Sequence, residues 1–160
     1  MAKMSNVVLV ASLCVLAVAG FVHCVDDVLD VEGKVFCDTC RVGFVTRISE
    51  YIEGAEVKIE CHNRTTGILT ASVEGHTDKT GSYFIQVKGD HQEDICEVEL
   101  LKSPRADCNQ LDNERSRARI LLTKNNGIVS DIRHANPLGF LKKEALPQCS
   151  IVLKELGLIV

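Results

Sequence analysis

The chain has 160 residues, with 18 Lys and Arg against 22 Asp and Glu, giving a net charge of −4. Aromatic residues make up 4 % of it, Trp is absent, and there are 8 cysteines. A one-domain length, mild acidity and abundant Cys exclude a basic nucleic-acid binder or anionic-membrane binder, and point to a small domain whose Val, Ile and Leu core is braced by disulfides.

The N-terminus reads as an address. Met1-Ala2-Lys3 is a basic start, Val7 to Val22 is almost wholly apolar, and small residues follow at Ala17, Ala19 and Gly20. This is the pattern of a secretory signal peptide. The run is shorter than the roughly 20 residues a spanning helix needs. It also ends at Asp26-Asp27 without a basic stop-transfer cluster, which argues against an anchor. Cleavage after Ala19 would leave seven cysteines and cleavage after Cys24 six. An odd cysteine is unusual in a secreted protein, so the division expected is signal peptide 1–24 and a single domain 25–160. Residues 1–24 carry Lys3 and no acid, so their removal takes the charge from −4 to −5. No later stretch is long and apolar enough for membrane insertion, and a soluble mature protein is expected.

Beyond residue 25 short β-branched runs alternate with turns. Val31 to Cys37 sets Val35 and Cys37 on one face. Ala55 to Cys61 places Val57, Ile59 and Cys61 together, opposite Glu56, Lys58 and Glu60, as a half-buried strand requires. Ile68 to Val73 is a weaker strand. Thr77 to Gly81 is a turn, with Asp78 early and Gly81 able to take positive φ. Ser82 to Val87 aligns Tyr83, Ile85 and Val87. Ile95 to Leu101 aligns Cys96, Val98 and Leu100, and Arg119 to Thr123 is a further strand. Helical spacing occurs at the C-terminus, where Cys149, Val152, Leu153 and Leu156 share a face after Pro147. Asp38 to Gly54 and Ser130 to Pro147 read as long loops, the second through Asn136-Pro137-Leu138-Gly139-Phe140. The fold class expected is all-β: about seven strands in a β-barrel or sandwich, with a short C-terminal helix.

The mature cysteines are Cys37, Cys40, Cys61, Cys96, Cys108 and Cys149. Six cysteines allow 15 pairings, and spacing does not choose among them. Cys61 and Cys96 both lie on apolar strand faces, which makes a bridge between them across the core natural. Cys37-Asp38-Thr39-Cys40 is a C-x-x-C with three readings. A thioredoxin-like redox pair needs an αβ context, and the surroundings are β-rich. A zinc site needs a second pair at ligand spacing, and His62, His76, His91 and His134 are scattered. The remaining reading sends each cysteine to a distant structural partner.

Asn63-Arg64-Thr65 is an N-glycosylation sequon at a strand end. No nucleophile-elbow or other catalytic signature is present. Glu53, Glu56, Glu60, Glu93, Asp94, Glu97 and Glu99 fit solvated strand faces and loops. Arg115, Arg117 and Arg119 alternate, which would put all three on one side. No catalytic, metal or cofactor residues are assigned, and no cofactor is expected.

The stretch Val31-Glu32-Gly33-Lys34-Val35-Phe36-Cys37-Asp38-Thr39-Cys40-Arg41 resembles the signature of the pollen Ole e I family: an acid or amide, Gly, any residue, Val, an aromatic, then Cys-Asp-Thr-Cys-Arg. The resemblance continues through Gly43-Phe44, Gly54-Ala55, Cys61, Gly75, Gly81, Tyr83, Cys96, Ser103 to Cys108, Ala135 to Phe140 and Cys149, essentially the whole mature chain. It implies a secreted, often glycosylated plant protein with the pairings Cys37–Cys108, Cys40–Cys149 and Cys61–Cys96. The order Gly-Ala-x-Val, Thr-Asp, Gly-x-Tyr is also similar to prealbumin-type Greek-key sandwich modules.

The expectation is a non-enzymatic monomer acting in the cell wall or as a ligand of a cell-surface receptor kinase. The partner is a receptor or a wall polymer, with no nucleic acid. Two alternatives stand beside it: an oxidoreductase using Cys37 and Cys40, and a glycan or small-molecule carrier using the barrel mouth or the Asn136–Phe140 region.

Overall fold

The computed structural model describes residues 27–112 and 115–158. The expected signal peptide lies outside the described residues. The elements in chain order are strands β1 (Val28–Asp38), β2 (Glu50–Tyr51), β3 (Glu56–Asn63), β4 (Leu69–His76), β5 (Ser82–Lys88), β6 (Asp94–Lys102), β7 (Cys108–Gln110), β8 (Arg117–Ile120), β9 (Ile132–His134) and β10 (Leu138–Lys142), then helix α1 (Cys149–Glu155). No helix among the described residues is long and apolar enough to cross a membrane.

Strand β1 organises the larger sheet because its 11 residues serve two sets of neighbours. Its first half runs antiparallel to β5 and parallel to β9, while its second half runs parallel to β10 and antiparallel to β2. Strand β7 extends this sheet beyond β10. The second sheet has the order β4-β3-β6-β8, antiparallel throughout. The two sheets form a sandwich and do not join into a closed barrel, so of the two architectures expected the sandwich holds.

The alternation read from the sequence is the burial pattern of the core. Val57, Ile59 and Cys61 of β3 face inward, as do Tyr83, Ile85 and Val87 of β5 and Cys96, Val98 and Leu100 of β6. They meet Leu29, Val31 and Val35 of β1 and Phe140 of β10 in one cluster. Each such aliphatic side chain contributes about 1.5–3 kcal/mol by leaving water, so the chain builds a continuous core without Trp.

Three expectations need correction. Ser130 to Pro147 is not one long loop, since it carries β9 and β10. Both pair parallel to β1, a connection with no tight-turn signal of its own. The disulfide Cys61–Cys96 does not cross the core. The two residues sit directly opposite on neighbouring strands of one sheet, with a Cα–Cα separation of 4.0 Å. Arg115, Arg117 and Arg119 do not form one row. The strand begins at Arg117, and Arg115 instead reaches back to the Val42 carbonyl at 2.8 Å. Helix α1 forms where the spacing places it, but only Cys149 and Val152 are buried, and Leu156 is 52 % exposed.

Candidate functional site

The C-x-x-C is the centre of a structural knot. Cys37 bonds to Cys108 on β7 and Cys40 bonds to Cys149 on α1, at sequence separations of 71 and 109. The third bond is Cys61–Cys96. Neither sulfur of the motif is bonded to the other, so the redox alternative has no local dithiol to use. The residues between and around them hold the turn in place. Asp38 is buried, and its carboxylate accepts from the backbone N–H of Cys40 at 3.1 Å and of Gly43 at 2.6 Å. Thr39, also buried, donates its hydroxyl to the Ile48 carbonyl at 3.0 Å and accepts the Leu146 N–H on its own carbonyl. Arg41 takes a left-handed conformation, φ 58°. From there its guanidinium donates to Gln110 Oε1 at 2.6 Å and to the Lys142 carbonyl. Gly43, at φ 81°, lies under the Arg115 guanidinium, where a Cβ would stand 1.7 Å from Nη1. Arg41 therefore ties the β1 exit to β7 and β10, Thr39 ties it to the segments at Ile48 and Leu146, and Asp38 closes the turn itself.

The Ser103 to Cys108 segment closes the same end. Arg105 forks onto Asp107 through Nε at 3.1 Å and Nη2 at 2.8 Å, and Nη1 reaches Glu50 at 2.5 Å. Lys142 also donates to Asp107. Arg105 and Lys142 together hold the Asp107 carboxyl far below the usual carboxylate range. This network is exposed, and such pairs fix geometry more than they stabilise the fold.

The acids expected on solvated faces are mostly paired on the outer face of the smaller sheet. Lys58 lies 2.7 Å from both Glu60 and Glu99, while Arg117 reaches Glu99 at 3.1 Å and Arg119 lies beside Glu97. Asp94 departs from that expectation because it is half-buried and held by partners. It accepts from Thr70 Oγ1 at 2.6 Å and meets His91 Nδ1 at 2.8 Å. The other ring nitrogen of His91 lies 3.1 Å from the Lys88 carbonyl. Burial opposes ionisation of Asp94, but the bonds from Thr70 and His91 outweigh it and hold the carboxyl below its usual value. His91 also lies near Cys61 and Cys96, the three ligand atoms falling within 4.8 Å of one another. The two sulfurs are spent in their disulfide, so this cluster offers no thiolates to a metal.

Asn63 ends β3 opposite Asp94. Its Oδ1 accepts from the Thr65 N–H at 3.1 Å, the Thr66 N–H at 3.0 Å and the Thr66 hydroxyl at 3.1 Å. The sequon thus sits in a turn closed by its own asparagine, with Thr65 exposed.

A concavity with a polar lining lies elsewhere, on the β9-β1-β5 side. It measures about 610 Å³ and is bordered by Glu32, Lys34, Asp78, Phe84 and His134, with Tyr83 at its wall. Register sets His134, Glu32 and Phe84 side by side across three strands. Asp78 is held by the turn expected there. Its Oδ1 accepts from the N–H and hydroxyl of Thr80, both at 2.7 Å, and from the Ser82 N–H at 3.0 Å. Thr80 first, then Ser82, hold its carboxyl below the usual range. The Tyr83 hydroxyl is buried without a hydrogen-bond partner among the described residues, and burial pushes its phenol well above the usual range. The Asn136–Phe140 region reaches this cleft through Pro137. Sequence reasoning singled out that region but missed the cleft, because the strands that assemble it are distant in the chain.

These features define a class: a three-disulfide β-sandwich with a short C-terminal helix, tied at one end by a Cys-Asp-Thr-Cys-Arg knot. Residues 27–157 match the family described as Pollen protein Ole e 1 like, and the chain belongs to that family. It is 53 % identical over 152 residues to anther-specific protein LAT52 of Solanum lycopersicum, covering 95 % of this chain and 94 % of the relative. It is 50 % identical to pollen allergen Cro s 1 of Crocus sativus, covering 94 % and 91 % of the two chains. Among solved structures it is similar to the major plantain pollen allergen Pla l 1, with a TM-score of 0.69 at 32 % identity, covering 76 % of this chain and 99 % of that one.

Proposed function

We propose that the chain is a secreted, non-catalytic protein of pollen or anther that acts outside the cell, in the wall or as a ligand of a cell-surface receptor kinase. The observation that carries this reading is the division of the C-x-x-C between two long-range disulfides. Such bonds form and persist in an oxidising compartment, and they consume the only thiol pair with a redox spacing. The apolar N-terminal run and its small-residue exit support export. The tissue follows the names of the relatives, which are anther-specific or pollen proteins. The turn at Asn63 supports glycosylation there, since its Thr65 is exposed to an approaching transferase.

The test is expression of the full chain with a C-terminal tag in plant cells, followed by recovery of extracellular fluid. The protein is expected there, starting near residue 25, with a mass that falls on deglycosylation at Asn63. The recovered protein is then incubated with washed wall material and with solubilised plasma membrane. Saturable retention by either supports the reading. Cytosolic accumulation, or retention by neither fraction, contradicts it.

A further inference from the structure

We infer that the cleft bordered by Glu32, Phe84 and His134 is a binding site for a neutral saccharide. The cleft is about 610 Å³, within the range that takes a small organic ligand. Three observations select the chemistry.

The first is the lining. Phe84 is 55 % exposed, a large aromatic face left open on a strand whose inward residues are buried. Beside it in register stands Glu32, and beside Glu32 stands His134. A pyranose ring has an apolar C–H face for an aromatic ring, and a rim of hydroxyls that both donate and accept. A carboxylate accepts from such hydroxyls, and a lysine or histidine donates to them. The second is the charge. Glu32 and Asp78 oppose Lys34, with His76, His134 and the Tyr83 phenol the remaining titratable groups. Two acids against one lysine lack the cation cluster that a phosphate or polycarboxylate site needs. The polar wall equally disfavours a purely apolar ligand.

The third is the Tyr83 hydroxyl. Tyr83 is 2 % exposed, lines the cleft, and no hydrogen-bond partner reaches its Oη among the described residues. A buried hydroxyl left unmade is costly, and a small opening of the wall at Tyr83 that admits a ligand hydroxyl relieves that cost. The cleft is also preformed. Asp78 is fixed by its own turn, Lys34 lies 4.7 Å over the Tyr51 ring, and His134 lies 3.7 Å from Glu32. Apart from the wall at Tyr83, little ordering remains to be done when a ligand binds.

This inference is independent of the receptor reading, since an oligosaccharide titration uses neither membrane nor wall material. The experiment is a titration of the oxidised, isotope-labelled protein with neutral trisaccharides of glucose, galactose, arabinose, xylose and mannose, with trigalacturonate as the anionic comparison, followed by amide NMR. At least one neutral trisaccharide is expected to shift the amides of Glu32, Gly33, Phe84 and His134. Phe84→Ala, at an exposed position, is expected to weaken that binding roughly tenfold. Tyr83→Phe is expected to weaken it while leaving the spectrum of the free protein native. The inference is overturned if no neutral sugar shifts these amides, if trigalacturonate alone does so, or if Phe84→Ala binds as the parent does.

Discussion

Gly33 and Tyr83 are directly opposed on β1 and β5, and the tyrosine ring fills the space where a side chain at position 33 would stand. A Cβ there would lie 2.1 Å from the tyrosine oxygen and 2.4 Å from Cζ. The signature glycine and the Gly-x-Tyr tyrosine, 50 positions apart, therefore form one packing unit that closes the wall of the cleft. Gly33→Ala is expected to destabilise the oxidised protein by about 1–3 kcal/mol through overpacking. Tyr83→Phe should not rescue it, because Cζ remains, whereas Tyr83→Leu should recover part of the loss. Guanidinium denaturation midpoints check all three.

Arg133 is 3 % exposed and caps backbone rather than an acid. Its guanidinium donates to the carbonyls of Thr123 at 2.8 Å and Ile132 at 3.1 Å, and to that of Ser130. Arg133→Met should cost about 1–3 kcal/mol, because the buried Thr123 carbonyl and the part-buried Ser130 and Ile132 carbonyls lose their donor. Arg133→Lys should restore little of this, since a single ammonium cannot reproduce the fork. Amide exchange of residues 123–132 should quicken in both.

The Asp94 carboxyl is held below its usual value against burial by Thr70 and His91, and that sets the sign of a pH effect. A depressed folded value means the stabilisation is complete above the unfolded value, about 3.9, and is lost as pH falls through the folded one. The gap in denaturation midpoint between the parent and Asp94→Asn should be widest at neutral pH and close below about pH 4. A gap that persists unchanged to pH 2 would show that the ionised carboxylate is not what stabilises this corner.

The Cys40–Cys149 bond closes the longest loop, with a separation of 109 residues. On the chain-entropy account, replacing both cysteines by Ser should cost roughly 4–5 kcal/mol. Helix α1 buries only Cys149 and Val152, so its amides should exchange freely while those of β3 and β6 stay protected. Hydrogen exchange by mass spectrometry separates this outcome from global unfolding.

Strands β3, β5 and β6 are legible in the sequence because each alternates strictly and each buries one face. Strands β9 and β10 are not, since they have three and five residues and depend on parallel pairing with β1. At Gly139, opposite Phe36, a Cβ would stand 2.7 Å from the Phe36 ring. That glycine reads locally as a turn residue, yet it serves a close packing of strands. The position of the knot was legible from Cys37-Asp38-Thr39-Cys40, but the tasks of Asp38 and Thr39 were not. Their partners, Gly43, Ile48 and Leu146, announce nothing in the linear pattern. The half-buried Asp94 reads as solvated for the same reason, since Thr70 and His91 reach it only in the folded chain.

The central claim is that the C-x-x-C is a structural junction. Peptide mapping of the extracellular protein, alkylated and digested without reduction, tests it most directly. The account predicts three cross-linked peptide pairs, Cys37–Cys108, Cys40–Cys149 and Cys61–Cys96, with no alkylated thiol among them. A Cys37–Cys40 bond within one peptide, or alkylation of both residues before reduction, would contradict it and return the motif to redox chemistry.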